Sequence, residues 1–237
     1  MIQGIDTIEF TLLCCIQIFT IGISLIIFIN SFRRYLSINP SELLLRKSVK
    51  YFTLIFVTVT VAGIFSLFSN FFYIFTHDGI IAGYIYAVVT SVIILNVFCA
   101  WQFITYLILP ERRITKYPIG IYCIIGMILI WFFAPTVTNV LYTPNLKNNF
   151  LYVYLWSIFT FVWSVFAYEF IRYSMKVSEK KEKYRFRCIG ASGIFAVLMF
   201  PMAFFGQIFS WLIILNSIVA LYLGYNFPKF FQRILKV

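Results

Sequence analysis

Apolar runs of about 20 residues or more recur from one end of this chain to the other, and few charges interrupt them. A helix of that length crosses a hydrocarbon layer about 30 Å thick. In lipid, only helices and closed barrels satisfy all their own backbone groups. Barrel strands would be roughly 10 residues long and would alternate in polarity, and these runs do neither. The expected fold class is therefore all-α, a polytopic membrane protein. Composition agrees: 62% of residues are hydrophobic, 11% are charged and the mean hydropathy is +0.93. Soluble domains are about 45–50% apolar and about 25% charged, so a soluble core could not absorb this much apolar surface. The runs leave no room for a separate soluble domain.

Seven spans are expected, near 8–31, 51–75, 79–109, 117–142, 150–173, 187–205 and 208–226, forming one seven-helix transmembrane domain over 1–237. The first is not read as a signal peptide, because its apolar run exceeds roughly 15 residues and no basic region precedes it. The last two come from a single apolar stretch, 187–226, about twice as long as one crossing requires. Breakers in Pro201–Gly206 divide it: a proline removes a helix hydrogen bond, and a glycine permits a tight turn.

The basic residues test this count. Arg33, Arg34, Arg46, Lys47 and Lys50 fall in the first connection, and Arg112, Arg113 and Lys116 in the third. Arg172, Lys176, Lys180, Lys181, Lys183, Arg185 and Arg187 fall in the fifth, and Lys229, Arg233 and Lys236 in the tail. Seven spans put all of these on one side and leave Lys147 alone on the other; six or eight spans would scramble the partition. The positive-inside rule makes the basic side cytoplasmic. The N-terminus, with Asp6 and Glu9, is then expected outside and the C-terminus inside, in the plasma membrane of a prokaryote. The net charge of +11 needs no nucleic acid to explain it. Lys180, Lys181, Lys183, Arg185 and Arg187 are the candidate contacts for anionic lipid headgroups or for a cytoplasmic signalling partner. Ser178–Lys183 is expected to extend the fifth or sixth helix into the cytosol.

Catalytic chemistry is sparse. The single histidine, His77, lies in the short outer turn Thr76–Gly79 with only Asp78 beside it, and reads as a solvated turn. Glu169 stands three residues before Arg172, on the same helix face, and reads as an interfacial ion pair rather than a proton-coupling acid. No second acid lies at matching depth for a carboxylate dyad. No lysine lies in 208–226, which excludes a retinal imine there. Cys14, Cys15, Cys99, Cys123 and Cys188 show no metal-ligand spacing and are expected to stay reduced. The chain is read as no enzyme, with no catalytic, cofactor or metal residues.

Polar residues nonetheless recur at helical spacing. Asn96, Cys99, Gln102 and Tyr106 share a face of the third span. Ser157, Thr160, Ser164 and Tyr168 share one of the fifth, and Gln207, Ser210 and Ser217 one of the seventh. Thr60, Gly63 and Asn70 form a looser stripe on the second. These faces are expected to point inward. They would serve either as interhelical hydrogen bonds, about 0.6 kcal/mol each, or as the lining of a small ligand pocket.

An outer N-terminus, the basic first loop with Arg33 and Arg34, and the long fifth connection Ser174–Arg187 form one arrangement with a close final hairpin. Its exit runs Leu223-Gly-Tyr-Asn-Phe-Pro-Lys-Phe230. The arrangement resembles the seven-span sensor regions of prokaryotic signalling proteins, stand-alone or N-terminal to histidine kinases. The resemblance implies a receptor-like sensor. Only about ten residues follow the last expected span, so any signal would have to pass through a partner. No functional residue carries over. A small transporter or channel protomer is the alternative, as is a membrane-anchor subunit of a larger complex.

Overall fold

A computed structural model of the chain describes residues 7–109, 115–141, 149–203, 205–226 and 228. Asp6, Arg112, Arg113, Lys147, Lys229, Arg233 and Lys236 lie outside the described residues. Among those described there are seven α-helices and no strand. They are α1 (Thr7–Ser37), α2 (Leu43–Thr76), α3 (Gly79–Leu107), α4 (Lys116–Phe132), α5 (Asn149–Lys176), α6 (Lys180–Ala203) and α7 (Gln207–Asn226). Five are long and apolar enough to cross a membrane: α1, α2, α3, the Val153–Lys176 part of α5, and α7. α4 has 17 residues, about 25 Å of helix, and α6 carries a dense basic run in its first turns. Large apolar side chains face outward on helix after helix: Ile18, Phe19 and Ile26 on α1, Ile121 and Ile124 on α4, Phe161 on α5. That surface suits acyl chains and not water. The chain is a multi-pass α-helical membrane protein.

Each helix packs against the next, and α7 returns to α1 while α3 reaches α5, which leaves α4 at the periphery. Short links make neighbours antiparallel. α1 and α2 extend past the expected spans, so the first connection shrinks to 38–42. At the far end of α2, His77 takes the left-handed conformation (φ 55°) and donates its N–H to the Tyr73 carbonyl. Asp78 then caps α3, its carboxylate accepting the N–H groups of Ile80 and Ile81 at 3.0 and 2.9 Å. His77 is solvent-exposed, as expected of a turn, and Asp78 is committed to the cap. The basic run begins α6 at the opposite end. We refer to the two ends of the bundle as the histidine end and the basic end.

Near the basic end the core is built on aromatic rings: Phe52 and Phe56 of α2, Phe103 of α3, and Phe166 and Phe170 of α5 are fully buried. Phe103 packs on Phe52, Phe166 and Phe170 with centroid distances of 5.4–6.0 Å. Near the histidine end a group of polar residues is buried as well: Gln17, Ser66, Ser69, Asn70 and Gln207.

The fourth expected span, 117–142, is only partly helical. α4 stops at Phe132, and 133–141 runs on as irregular chain with Ala134, Val137 and Val140 buried. Pro135 explains the stop, since it cannot donate to the helix and disfavours helical geometry at Ala134. The freed backbone finds other partners. Val137 donates to the Gly79 carbonyl (3.0 Å), and the Leu141 carbonyl accepts from the Gln207 N–H (2.8 Å). Irregular backbone at this depth is tolerated only when buried in protein or facing water. Gly83 permits the burial: a Cβ there would collide with the Pro135 carbonyl.

Candidate functional site

The polar layer in the histidine half is built from three helices. Gln17 lies ten residues into α1, Ser66 and Asn70 lie in the last three turns of α2, and Gln207 opens α7. Gln17 donates its amide to the Ser66 hydroxyl at 3.0 Å, and Asn70 donates to the Gln207 side-chain oxygen at 3.4 Å. Ser69, one residue away, donates to the Ala82 carbonyl of α3 at 2.8 Å. Gly63 lets Ile21 of α1 and the Trp211 ring of α7 close against α2 just inside this layer. The irregular 133–141 segment is tied down over the layer. Tyr73 donates to the Thr138 carbonyl (2.8 Å), and the Gln207 N–H holds Leu141.

The layer is under-satisfied. The side-chain oxygens of Gln17 and Asn70, each residue at least 99% buried, have no hydrogen-bond partner among the described residues, and neither has the Ser24 hydroxyl one or two turns deeper. A primary amide can make four hydrogen bonds. A buried polar group without a partner costs about 1–3 kcal/mol. The arrangement is neutral and contains no acid or base, so it can bind by hydrogen bonding but cannot move protons. Two open acceptors in one buried layer suit a small molecule with N–H or O–H donors, or ordered water.

The expected stripes fare differently. Asn96 donates to the Ile55 carbonyl (3.0 Å) and the Thr58 hydroxyl (2.8 Å), closing α3 on α2. Cys99 and Gln102 are buried along the same face, and the Gln102 amide nitrogen has no partner among the described residues. Tyr106 continues the stripe and stacks on Tyr51 of α2 at 5.6 Å. This stripe lies in the basic half and turns toward α2. On α7, Gln207 joins the polar layer, Ser210 donates to the Met199 carbonyl (3.4 Å), and Ser217 donates to the Ser192 carbonyl of α6 (2.8 Å). The α5 stripe divides. Ser164 and Tyr168 are exposed and Thr160 is half-buried, because α5 turns Phe159, Trp163, Phe166 and Phe170 inward, whereas Ser157, also exposed, lies 3.0 Å from the Tyr122 hydroxyl of α4.

The basic run also divides. Lys180 and Arg187 are exposed, and Lys181 and Lys183 half-exposed, on the first turns of α6. Arg185 is not a free surface cation: it turns onto the end of α7, donating to the Gly224 carbonyl (3.2 Å) and the Tyr225 carbonyl (2.9 Å), and pairs with Glu182 at 2.7 Å. Glu169 is buried 3.7 Å from the exposed Arg172, the expected ion pair. All five cysteines are free thiols. Among the described residues no His, Cys, Asp and Glu cluster could hold a metal.

Gln17, Ser24 and Ser66 were not expected in the site. Their signal is nevertheless present, since Gln17, Thr20, Ser24 and Ser31 recur at intervals of three, four and seven and all are buried. The chain matches no family model, no curated protein and no solved structure.

Proposed function

We propose that the chain is a seven-span membrane sensor with its N-terminus outside and its basic end in the cytoplasm. It holds a small polar ligand among Gln17, Ser66, Asn70 and Gln207 and acts through a cytoplasmic partner. The observation that carries this reading is the pair of unpartnered amide oxygens, on α1 and α2, beneath an irregular segment that grips the start of α7. A ligand that supplied the missing donors would draw α1, α2 and α7 together, and the first and last of these lead directly to the basic end. The partition of basic residues supports the orientation. The test is purification in mild detergent, mass spectrometry of what co-purifies, and thermal unfolding with that compound added back. Stabilisation of the native chain that is lost in both Gln17→Leu and Asn70→Leu supports the reading. Stabilisation unchanged in both removes it.

One observation favours a second reading, a small transporter. The break at Phe133–Leu141 interrupts the expected fourth span, and interrupted helices beside a polar site are common in transporters. Flux of the co-purifying compound into liposomes would favour transport, and ligand-dependent capture of a soluble partner without flux would favour the sensor.

A further inference from the structure

At the basic end the last turn of α7 gathers cationic groups from two other helices. The Tyr225 ring stacks on Phe52 of α2 with centroids 3.7 Å apart, and the Arg34 guanidinium of α1 lies 4.8 Å from its centroid. Arg185 of α6 holds the backbone of the same turn, donating to the Gly224 and Tyr225 carbonyls.

Three features of this cluster are incomplete. Tyr225 is 92% buried, yet its hydroxyl has no hydrogen-bond partner among the described residues. Arg34 makes no ion pair among them, although Glu182 answers Arg185. A guanidinium has five N–H donors, and Arg185 directs one each at Gly224, Tyr225 and Glu182, leaving two. Donors from three helices therefore gather around the last turn of α7 with one positive charge in excess.

We propose that Arg34, Arg185 and the Tyr225 hydroxyl form a binding site for a phosphate group. Two guanidinium forks and a hydroxyl approaching from different helices suit a tetrahedral oxyanion with several acceptor oxygens. The cluster lies at the ends of α1 and α7, at the basic end of the bundle. The phosphate can belong to an anionic lipid headgroup or to a soluble ion. In either case it crosslinks α1, α6 and α7 where their ends meet. The site is at the other end of the bundle from the amide layer and does not depend on the sensor reading.

Tyr225→Phe isolates the claim, because it keeps the ring between Phe52 and Arg34 and removes only the donor. Thermal unfolding of the full chain is followed in detergent with inorganic phosphate at constant ionic strength. A parallel series uses phosphatidylcholine vesicles with and without phosphatidylglycerol. Saturable stabilisation by phosphate marks a soluble ligand; stabilisation by phosphatidylglycerol alone marks a headgroup. In either arm, Tyr225→Phe weakens apparent binding roughly tenfold, the worth of one hydrogen bond to a charged group. Arg34→Gln abolishes it, and Arg187→Gln, exposed on the same helix as Arg185, leaves it unchanged. No stabilisation by either probe overturns the proposal. So does stabilisation that survives in Tyr225→Phe and Arg34→Gln, or that Arg187→Gln removes equally.

Discussion

Asn96 of α3 donates a 2.8 Å hydrogen bond to the hydroxyl of Thr58 on α2, and its second N–H reaches the Ile55 carbonyl at 3.0 Å. Both acceptors have other ties. Thr58 donates to the Ile55 carbonyl of its own helix at 2.8 Å, and carbonyls accept twice. Asn96→Leu therefore strands no acceptor and loses only the interhelical bonds. At about 0.6 kcal/mol per contact the loss is about 1 kcal/mol. Thermal unfolding in detergent should fall by about 2–4 °C. A rise instead would mean that position 96 faces lipid, where leucine is welcome.

The outward α5 stripe makes the opposite prediction. Ser164 is exposed among apolar neighbours such as Phe161. Ser164→Leu should leave detergent stability within about 0.5 kcal/mol of the native chain, as surface substitutions do. Thr160→Val should be neutral or mildly stabilising, because the Thr160 hydroxyl is buried and has no partner among the described residues to lose. A fall of several degrees for both would mean that this face of α5 is packed in the folded protein. Differential scanning fluorimetry of the two variants is sufficient.

These two stripes show what was legible in the sequence. Helical spacing reports that polar residues share a face, and it did so for Asn96–Tyr106 and for Ser157–Tyr168 alike. It does not report where that face points. In lipid no hydrophobic force drives apolar side chains inward, and a serine can satisfy itself on its own helix, as Ser157 does in part by donating to the Tyr154 carbonyl at 2.8 Å while its oxygen lies 3.0 Å from the Tyr122 hydroxyl of α4. The bulk of Phe166 and Phe170 then decides which side of α5 builds the core. The amide layer escaped for a related reason: Gln17 pairs with Ser66, 49 positions away, and no local pattern couples them. The break after Phe132 was signalled by Pro135, but the bonds that let the irregular chain stay buried come from Gly79 and Gln207, both distant in sequence.

Orientation gives a prediction independent of side-chain packing. If all seven helices span the membrane, the basic residues of the expected first, third and fifth connections and of the tail fall on one side, which the positive-inside rule assigns to the cytoplasm. A reporter active only in the cytosol should work when fused after Val237 and fail when fused before Ile2. The reverse pattern would invert the molecule and move the amide layer to the inner half.

The irregular segment over the amide layer is held in place by the absence of a side chain at Gly83. A Cβ at that position would meet the Pro135 carbonyl and come too close to the Thr136 backbone, neither of which can rotate away as a side-chain tip would. Gly83→Ala must therefore push 134–137 off α3 and stretch the nearby bond from Val137 to Gly79. Overpacking of this kind costs about 1–3 kcal/mol. Gly22, in the middle of α1, is the control, because a Cβ there would meet nothing within 4 Å. An alanine in an open helical position gains up to about 1 kcal/mol over glycine. Gly22→Ala should thus raise the unfolding temperature while Gly83→Ala lowers it. Hydrogen exchange distinguishes displacement of the segment from general loosening: in Gly83→Ala the Val137 and Gln207 amides should exchange faster, while amides beside the Phe103–Phe170 core keep their protection. Equal stability for the two alanine variants would show that the segment does not rest on Gly83 and would remove the cover from the proposed ligand site.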